Sequence, residues 1–333
     1  MVTKIAINGF GRIGRCITRQ LFSSTSDLEL VAINDLTDNP TLGHLLQFDS
    51  IHRTWGQSVS ADDNSIRIGD KRIAAYAEKD PSKLPWKELG VQIVLECTGR
   101  FTEKGPAEAH IKAGAERVII SAPAKGVDAT FCVGINSSKY DREKHRVVSN
   151  ASCTTNCLAP IAKVVHESFG IIKGHMLTVH SYTADQRLMD SPHSDLRRAR
   201  AATLSMVPTS TGAAKAIGLV IPELEGKLDG AAIRVPTPTV SLTCLTAHVS
   251  KKTSRDEVNA ALKAAADGPL KGILGFEPRP VVSSDFIGDP RSSIVDAGLT
   301  QVVGGDLVEV QSWYDNEWGF ARRMIDLASL MAK

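Results

Sequence analysis

The stretch Lys4-Ile-Ala-Ile-Asn-Gly-Phe-Gly-Arg-Ile-Gly14 decides the fold of the first half of this 333-residue chain. It begins with a short apolar run typical of a buried parallel strand, and a helical pattern at residues 15–22 follows its last glycine. A second buried-type strand, Leu28–Asn34, comes next and ends at Asp35. A lone GxGxxG motif is weak evidence. Between a strand and a helix, with an acidic residue about 20 positions later, it predicts a dinucleotide-binding βαβ unit.

The three glycines of this motif are expected to have different roles. Gly9 permits the tight turn, Gly11 lets a pyrophosphate approach the backbone, and Gly14 lets the helix pack closely on the strand. The helix N-terminus then holds the phosphates. Asp35 is placed to accept hydrogen bonds from the adenosine ribose, and its charge would repel a 2′-phosphate, which favours NAD over NADP. The alternative interpretation of Asp35 is a solvated acid in a turn.

Further strand-like runs predict that the first half is α/β, a Rossmann-type doubly wound parallel sheet. The carboxyl ends of such strands face the ligand crevice, so Ser121 is either a cofactor contact or part of a simple connection. The predicted strands cover residues 92–97, 117–121, 129–134 and 146–149, with a helix at 106–113.

The pattern changes after a predicted helix at Cys153–Phe169. Longer alternating runs follow, which predict an α+β domain with a mixed or antiparallel sheet. Amphipathic helices are expected at 254–266 and 318–330, the first opening with a capping box formed by Ser254 and Glu257. The predicted strands cover residues 175–180, 231–235, 240–249 and 302–313.

Cys153 lies in the heptapeptide Ala-Ser-Cys-Thr-Thr-Asn-Cys at positions 151–157. A cysteine in the first turn of a helix faces unpaired N–H groups and the positive end of the helix dipole, both of which favour the thiolate. Cys153 is therefore a candidate nucleophile, with a small buried hydrophobic residue as the alternative. His180 is the preferred base because it ends an apolar strand, whereas His175 points to the opposite face. A hydrogen-bonded core histidine is the alternative for His180.

Composition excludes several classes of protein. A net charge of +2 argues against a nucleic acid or a membrane surface as the main partner. Six scattered cysteines do not form a disulfide framework, and their spacing does not fit a zinc site, so no metal is expected. No apolar run approaches 18 residues, and the N-terminus lacks the layout of a signal peptide, so we expect a cytoplasmic protein.

Anion-binding residues recur through the second half. Hydroxyls flank Cys153 and follow His180, and residues 210–215 are expected to place hydroxyls and Gly212 at a helix N-terminus, where a phosphate binds well. Two such seats would suit a phosphorylated substrate and free phosphate. The candidates are Ser152, Thr154, Thr183, Asp185, Arg197, Arg198, Arg200, Thr211, Gly212 and Arg234.

Six motifs together resemble phosphorylating glyceraldehyde-3-phosphate dehydrogenases, and the resemblance extends over the whole chain. The cysteine motif is highly specific to that family, whereas the glycine motif is widely shared. The motifs lie at residues 8–15, 149–157, 195–200, 208–215, 234–238 and 313–317.

The resemblance implies a mechanism. Cys153 attacks the aldehyde of glyceraldehyde 3-phosphate to form a thiohemiacetal, and His180 holds the thiolate and then acts as base and acid. The backbone N–H of Cys153 and the side chain of His180 stabilise the oxyanion. After hydride transfer to NAD, inorganic phosphate attacks the thioester and releases 1,3-bisphosphoglycerate.

The resemblance also assigns the binding residues. The seat for the phosphate of the substrate contains Thr183, Asp185 and Arg234. The seat for the attacking phosphate contains Ser152, Thr154, Arg198, Thr211 and Gly212. The NAD contacts are Gly9, Gly11, Arg12, Ile13, Gly14, Asp35, Lys79, Ser121 and Asn316, the last of which fixes the carboxamide of the nicotinamide.

The resemblance further implies two domains and a homotetramer. Residues 1–151, with a C-terminal helix at 317–333, form the NAD-binding Rossmann domain, and residues 152–316 form the catalytic domain. Residues 182–206 resemble a loop that reaches a neighbouring subunit near its NAD.

Several alternatives remain open at this point. Erythrose-4-phosphate dehydrogenase is the nearest rival, since Trp318-Gly-Phe320 resembles that enzyme, and aspartate-semialdehyde dehydrogenase is more distant. Phe320 stands where family members often carry tyrosine near the nicotinamide. Ser191 stands where NAD-specific members usually have leucine, which leaves dual use of NADP open. A nucleotide-binding redox sensor that uses Cys153 without turnover is the rival from another class.

Overall fold

The computed structural model describes residues 2–23 and 25–333 and divides into two units. The first unit comprises Met1–Phe131, Lys139–Ala151 and Ala321–Lys333. The second comprises Cys132–Ser138 and Ser152–Phe320. Each unit is built around its own sheet.

The sheet of the first unit is mostly parallel, with strand order β3-β4-β5-β2-β1-β6-β7-β9-β8. Only the pairs that involve β4 are antiparallel among these neighbours. The strands are β1 (Thr3–Asn8), β2 (Leu28–Asn34), β3 (Val59–Asp62), β4 (Ser65–Ile68), β5 (Lys71–Tyr76), β6 (Ile93–Glu96), β7 (Arg117–Ile120), β8 (Ala129–Thr130) and β9 (Val147–Ser149).

Strand β1 lies between β2 and β6, so the strand order reverses at its carboxyl end. This is where an open α/β sheet binds its ligand. Ile5, Ala6 and Ile7 are fully buried, as expected for a parallel strand covered on both faces. The helices of this unit are α1 (Arg12–Ser23), α2 (Asn39–Gln47), α3 (Trp86–Leu89), α4 (Lys104–Ala107) and α5 (Ala109–Lys112).

The second unit contains a mixed sheet with the order β11-β12-β10-β13-β17-β15-β14, and β16 pairs with β17. The strands are β10 (Ile171–Ser181), β11 (Val207–Ser210), β12 (Leu228–Val235), β13 (Ser241–Val249), β14 (Leu274–Glu277), β15 (Ser293–Asp296), β16 (Gln301–Val303) and β17 (Leu307–Tyr314). The helices of this unit are α6 (Cys153–Phe169), α7 (Ile217–Val220) and α8 (Arg255–Asp267), whereas α9 (Trp318–Met331) belongs to the first unit from Ala321 onward. Short 3₁₀ turns lie at Pro81–Lys83, Ser137–Lys139, Pro222–Leu224, Ser283–Phe286 and Ala297–Leu299.

The predicted fold class is confirmed, a Rossmann-type sheet together with a mixed sheet. Helix α6 begins and ends at the predicted residues, and the capping box at Ser254 and Glu257 is present. Helix α6 packs on β13, β15 and β17, so its first turn is held against the sheet that carries β10.

Three local predictions are wrong. The run at 302–313 is two strands, because Gly304 and Gly305 both adopt positive φ and reverse the chain between β16 and β17. The predicted strand at 129–134 ends at Thr130, since Cys132 N–H donates to the Asn136 side chain in a turn. The helix predicted at 106–113 is two short helices that meet at Glu108.

In the part of the chain that the structure describes, none of the helices combines the length and the apolar character needed to cross a bilayer.

Candidate active site and dinucleotide cavity

Cys153 is the first residue of α6, and Ser152 is the N-cap. The Oγ atom of Ser152 accepts a hydrogen bond from Thr155 N at 3.0 Å, which satisfies one of the free donors at the helix start. Ala151 adopts φ +56°, a left-handed conformation that costs an ordinary L-residue about 1–2 kcal/mol. Backbone strain of this kind concentrates at functional sites.

His180 on β10 brings an imidazole to this cysteine. Its Nε2 atom lies 3.5 Å from Cys153 Sγ, and the histidine is only 4% exposed. Its Nδ1 atom lies 2.7 Å from the carbonyl oxygen of Ser181. A carbonyl oxygen only accepts, so we assign the proton to Nδ1. That tautomer presents the lone pair of Nε2 to the sulfur, as a general base requires.

Burial controls the charge of this pair. Burial raises the pKa of the Cys153 thiol, although the Arg234 guanidinium and hydrogen bonds at the helix start act to lower it. Burial, followed by the charge of Arg234, lowers the pKa of His180 to about 3. Burial therefore acts against the charged form of both groups. Both shifts run against the predicted thiolate, because burial disfavours either charged form, and the thiolate stays a prediction.

Arg234 lies beside His180 because β12 runs parallel to β10, with these two residues in register. Its Nη1 atom donates to Ser181 O at 3.2 Å and to Thr183 Oγ1 at 3.3 Å. Burial lowers the pKa of Arg234, and the Cys153 sulfur opposes that effect. A buried cation with a hydroxyl beside it is a suitable seat for an anion.

Asp185 is not paired with Arg234. Its carboxylate accepts from Arg198 Nη1 at 2.6 Å, and Arg198 Nε also donates to Thr209 Oγ1 at 3.1 Å. Asp185 therefore orients Arg198. Thr209 was not among the predicted site residues, although it lies in the motif at 208–215, which could have identified it.

The predicted helix start at Thr211 and Gly212 is wrong. Residues 213–216 form turns, Ala216 N donates to Gly212 O at 2.9 Å, and α7 begins at Ile217 with only four residues. The Thr211 hydroxyl accepts from Ala213 N at 3.2 Å.

The hydroxyls beside Cys153 have partners within the protein. Ser152 Oγ lies 2.8 Å from Thr155 Oγ1, and Thr154 Oγ1 lies 2.8 Å from Tyr314 OH. Tyr314 OH also lies 2.9 Å from Thr178 Oγ1, and its ring packs edge-on to His180. Tyr314 was missed as a site residue, although it belongs to the quoted motif at 313–317.

Asn316 is held by two hydroxyl groups. Its Oδ1 atom accepts from Ser181 Oγ at 2.9 Å and from Ser241 Oγ at 3.0 Å. These bonds fix which way the amide faces, as a residue that recognises another carboxamide requires. Ser241 lies in an ordinary alternating strand, so no sequence signal distinguished it.

In the first unit, a cavity of about 580 Å³ lies at the carboxyl ends of β1, β2 and β6. Asp35 lines it, with Oδ2 accepting from Phe10 N at 2.8 Å and Oδ1 from Thr37 N at 3.0 Å. The lining residues are Asn8, Gly9, Gly11, Asn34, Asp35, Leu36, Thr37, Glu78, Lys79, Pro81, Cys97, Thr98, Arg100 and Phe101.

The glycine motif forms one wall of this cavity. Gly9 adopts φ +92°, and a Cβ atom there would lie 2.6 Å from Thr98 N. A Cβ atom on Gly14 would lie 2.5 Å from Gly9 O, so the start of α1 packs directly on the turn. Gly11 differs, because a Cβ atom there would meet no described atom within 4 Å. The backbone at Gly11 is therefore open to a ligand.

The other predicted cofactor residues lie outside the described lining of this cavity. Arg12, Ile13 and Gly14 form the start of α1. The Arg12 guanidinium pairs with the Asp49 carboxylate. Ser121 follows β7, and its side chain bonds the thiol of Cys97, which does line the cavity.

Two family models match the chain. The glyceraldehyde 3-phosphate dehydrogenase NAD binding domain matches residues 3–104, and the glyceraldehyde 3-phosphate dehydrogenase C-terminal domain matches residues 152–316. The chain is 56% identical over 332 residues to glyceraldehyde-3-phosphate dehydrogenase of Geobacillus stearothermophilus, covering 100% of this chain and 99% of that protein.

Two further relatives are equally similar. Glyceraldehyde-3-phosphate dehydrogenase 1 of Bacillus cereus is 56% identical over 330 residues, covering 99% of this chain and 98% of that protein. Glyceraldehyde-3-phosphate dehydrogenase of Mycolicibacterium smegmatis is 56% identical over 340 residues, covering 100% of this chain and 99% of that protein.

Proposed function

Because the chain belongs to the glyceraldehyde-3-phosphate dehydrogenase family, we propose that Cys153 and His180 carry out its chemistry. The chain is an NAD-dependent oxidoreductase that acts on an aldehyde, and its reaction is the oxidative phosphorylation of glyceraldehyde 3-phosphate. The relatives do not favour the erythrose-4-phosphate alternative. The observation that supports the proposed roles is the 3.5 Å approach of Cys153 Sγ to His180 Nε2.

The first step is addition of Cys153 to the aldehyde. The S–C bond forms as the thiol proton passes to Nε2 of His180 and then to the carbonyl oxygen, which gives a thiohemiacetal. The N–H of Cys153, at the start of α6, can stabilise the developing oxyanion.

The second step is oxidation of the thiohemiacetal. NAD supplies the hydride acceptor when bound. His180 takes the hydroxyl proton as the hydride leaves, and a thioester to Cys153 results. Asn316, held by Ser181 and Ser241, is proposed to orient the nicotinamide carboxamide.

The third step regenerates the enzyme. An oxygen of inorganic phosphate attacks the thioester carbon, the C–S bond breaks, and Cys153 recovers a proton from His180. The product is an acyl phosphate, 1,3-bisphosphoglycerate. We assign the phosphate of the substrate to Thr183 and Arg234, with Asp185 acting through Arg198. We assign the attacking phosphate to Ser152, Thr154, Arg198, Thr211 and Gly212.

The cavity of the first unit fits NAD. It combines the open backbone at Gly11, the start of α1 and the carboxylate of Asp35. We propose that the pyrophosphate binds at Gly9, Gly11, Arg12, Ile13 and Gly14, at the N-terminal end of α1, although Gly9 N itself donates to Asn34 O at 2.8 Å. Asp35 would bind the ribose hydroxyls, and Lys79 and Ser121 are proposed as further contacts.

We propose that residues 1–151 with 317–333 act as the NAD-binding domain, and residues 152–316 as the catalytic domain. We also propose a homotetramer in the cytoplasm. Several large apolar side chains of the segment 182–206 are exposed, which a subunit contact would cover. They are Leu188, Met189, Leu196, Leu204 and Met206. Light scattering coupled to gel filtration tests the tetramer.

The reaction is tested by following NADH formation from glyceraldehyde 3-phosphate with and without inorganic phosphate. Without phosphate we expect a burst of at most one NADH per site, because the thioester cannot turn over. Phosphate should restore steady turnover. Cys153→Ser should abolish both phases, whereas Cys244→Ser, a half-buried cysteine on β13, should keep them.

Two outcomes contradict the assignment. Steady turnover that does not need phosphate would show that water is the acyl acceptor. Peroxide-sensitive Cys153 in a protein that shows neither burst nor turnover would favour the redox sensor.

A further inference from the structure

Three buried polar residues end neighbouring strands of the first unit. Asn8 on β1 is in register with Asn34 on β2 and with Glu96 on β6. Their exposed fractions are 1%, 4% and 1%. Buried polar groups in these positions are costly unless each finds a hydrogen-bond partner.

Glu96 is the centre of this group. Its Oε2 atom accepts from Asn8 Nδ2 at 2.5 Å and lies 3.0 Å from His110 Nε2. Its Oε1 atom accepts from the backbone N–H of Thr98 at 2.8 Å and from the Thr98 hydroxyl at 2.5 Å. Four donors correspond to the full accepting capacity of an ionised carboxylate. The orientation of Glu96 is therefore fixed by its surroundings.

Trp86 determines which nitrogen of His110 carries the proton. The Trp86 Nε1 atom donates to His110 Nδ1 at 3.0 Å, and both residues are fully buried. An indole N–H can only donate, so Nδ1 must accept, and the proton resides on Nε2. That proton is then directed at Glu96. In this chain of hydrogen bonds, Trp86 donates to His110 and His110 donates to Glu96.

The chain ends at the dinucleotide cavity. Asn8 Oδ1 accepts from Asn34 Nδ2 at 2.7 Å, and Asn34 Oδ1 accepts from Glu78 N at 2.8 Å. Asn8, Asn34, Glu78 and Thr98 all line the cavity. Thr98 N also lies where a side chain on Gly9 would collide, so a displaced Thr98 would disturb the glycine turn.

We propose that Trp86, His110 and Glu96 are positioning residues for the dinucleotide. They hold the side chains of Asn8, Asn34 and Thr98, which line the cavity, in the orientation needed to contact NAD. These side chains therefore need little rearrangement when NAD binds. The proposal rests on the proposed function, since it assigns NAD to this cavity. Loss of one such hydrogen bond should weaken NAD binding about tenfold.

The experiment compares His110→Leu with His110→Gln in the full chain. Leucine removes both hydrogen bonds, whereas the glutamine amide has an acceptor for Trp86 and a donor for Glu96. NAD affinity is measured by titration calorimetry without substrate, and the KM values for NAD and glyceraldehyde 3-phosphate by initial rates. We expect a tenfold loss of NAD affinity with leucine, substantial rescue with glutamine, and an unchanged KM for glyceraldehyde 3-phosphate.

A second variant covers the case in which His110→Leu does not fold. Trp86→Phe keeps an aromatic ring but removes the donor that sets the His110 tautomer, and it should weaken NAD binding several-fold. Folded variants that bind NAD like the wild type would overturn the proposal, as would equal increases in both KM values. Failure of the wild-type protein itself to bind NAD would instead contradict the proposed function.

Discussion

The Nη1 atom of Arg234 lies 3.2 Å from Nδ1 of His180, and both nitrogens contact the carbonyl oxygen of Ser181. The guanidinium therefore opposes a second positive charge on the imidazole and adds to the effect of burial, which lowers the pKa of His180 to about 3. At the Cys153 sulfur the same cation lowers a pKa that burial raises. Arg234 thus favours a neutral base and a more acidic thiol at once.

Replacing Arg234 with methionine should make Cys153 less acidic. Without the cation, the effect of burial on the thiol is no longer opposed, so its pKa should rise further. The rate of alkylation by iodoacetamide, followed against pH in the protein without ligands, should shift to higher pH. The KM for glyceraldehyde 3-phosphate should rise at least tenfold, because a charge-assisted hydrogen bond to phosphate is lost.

Arg197→Met is the matched control for that experiment, since Arg197 is an exposed cation of the same unit. It should leave the alkylation profile unchanged. A profile that moves to lower pH in Arg234→Met would show that the cation does not act on Cys153 in this way.

The two proposed phosphate seats should separate in kinetics. Thr183→Val removes a hydroxyl beside Arg234 and should raise the KM for glyceraldehyde 3-phosphate about tenfold. Thr211→Val should raise the KM for inorganic phosphate by a similar factor. Each variant serves as the control for the other. If both raise the same KM, the two seats have been assigned incorrectly.

Asp35 should determine the preference for NAD. The wild-type protein is expected to prefer NAD strongly, because the carboxylate repels the 2′-phosphate of NADP. Asp35→Asn removes that charge and should raise the catalytic efficiency with NADP relative to NAD about tenfold. Ser191→Leu introduces the residue usual in NAD-specific members. It tests whether Ser191, and not Asp35, determines how well the protein uses NADP. Comparable efficiency with both cofactors in the wild type would contradict the role of Asp35.

Ser254→Ala should affect stability and leave activity unchanged. The Ser254 hydroxyl accepts from Glu257 N as the N-cap of α8, and loss of such a cap lowers the free energy of unfolding by about 1 kcal/mol. Urea unfolding, with kcat measured on the same samples, provides the test. An unchanged midpoint would mean that the N-terminus of α8 does not contribute to the transition that urea reports.

The extent to which the sequence predicts this protein differs between its elements. Helix α6 and the α8 cap were predicted correctly, because a helix and its cap are specified by residues a few positions apart. The hairpin at Gly304 and Gly305 was missed, since apolar alternation continues on both sides of it. The helix N-terminus expected at residues 210–215 lies further along the chain, at Ile217, after turns at residues 213–216.

Local pattern and motif alone determined the two kinds of unit, the glycine turn and the candidate nucleophile and base. Only tertiary structure decided that Cys153 and His180, 27 positions apart, bring Sγ and Nε2 to 3.5 Å. It also decided that burial and Arg234 shift the pKa values of both groups and that Trp86 sets the proton position of His110. Periodicity and capping depend on neighbours along the chain, whereas protonation depends on burial and on charges brought from distant segments.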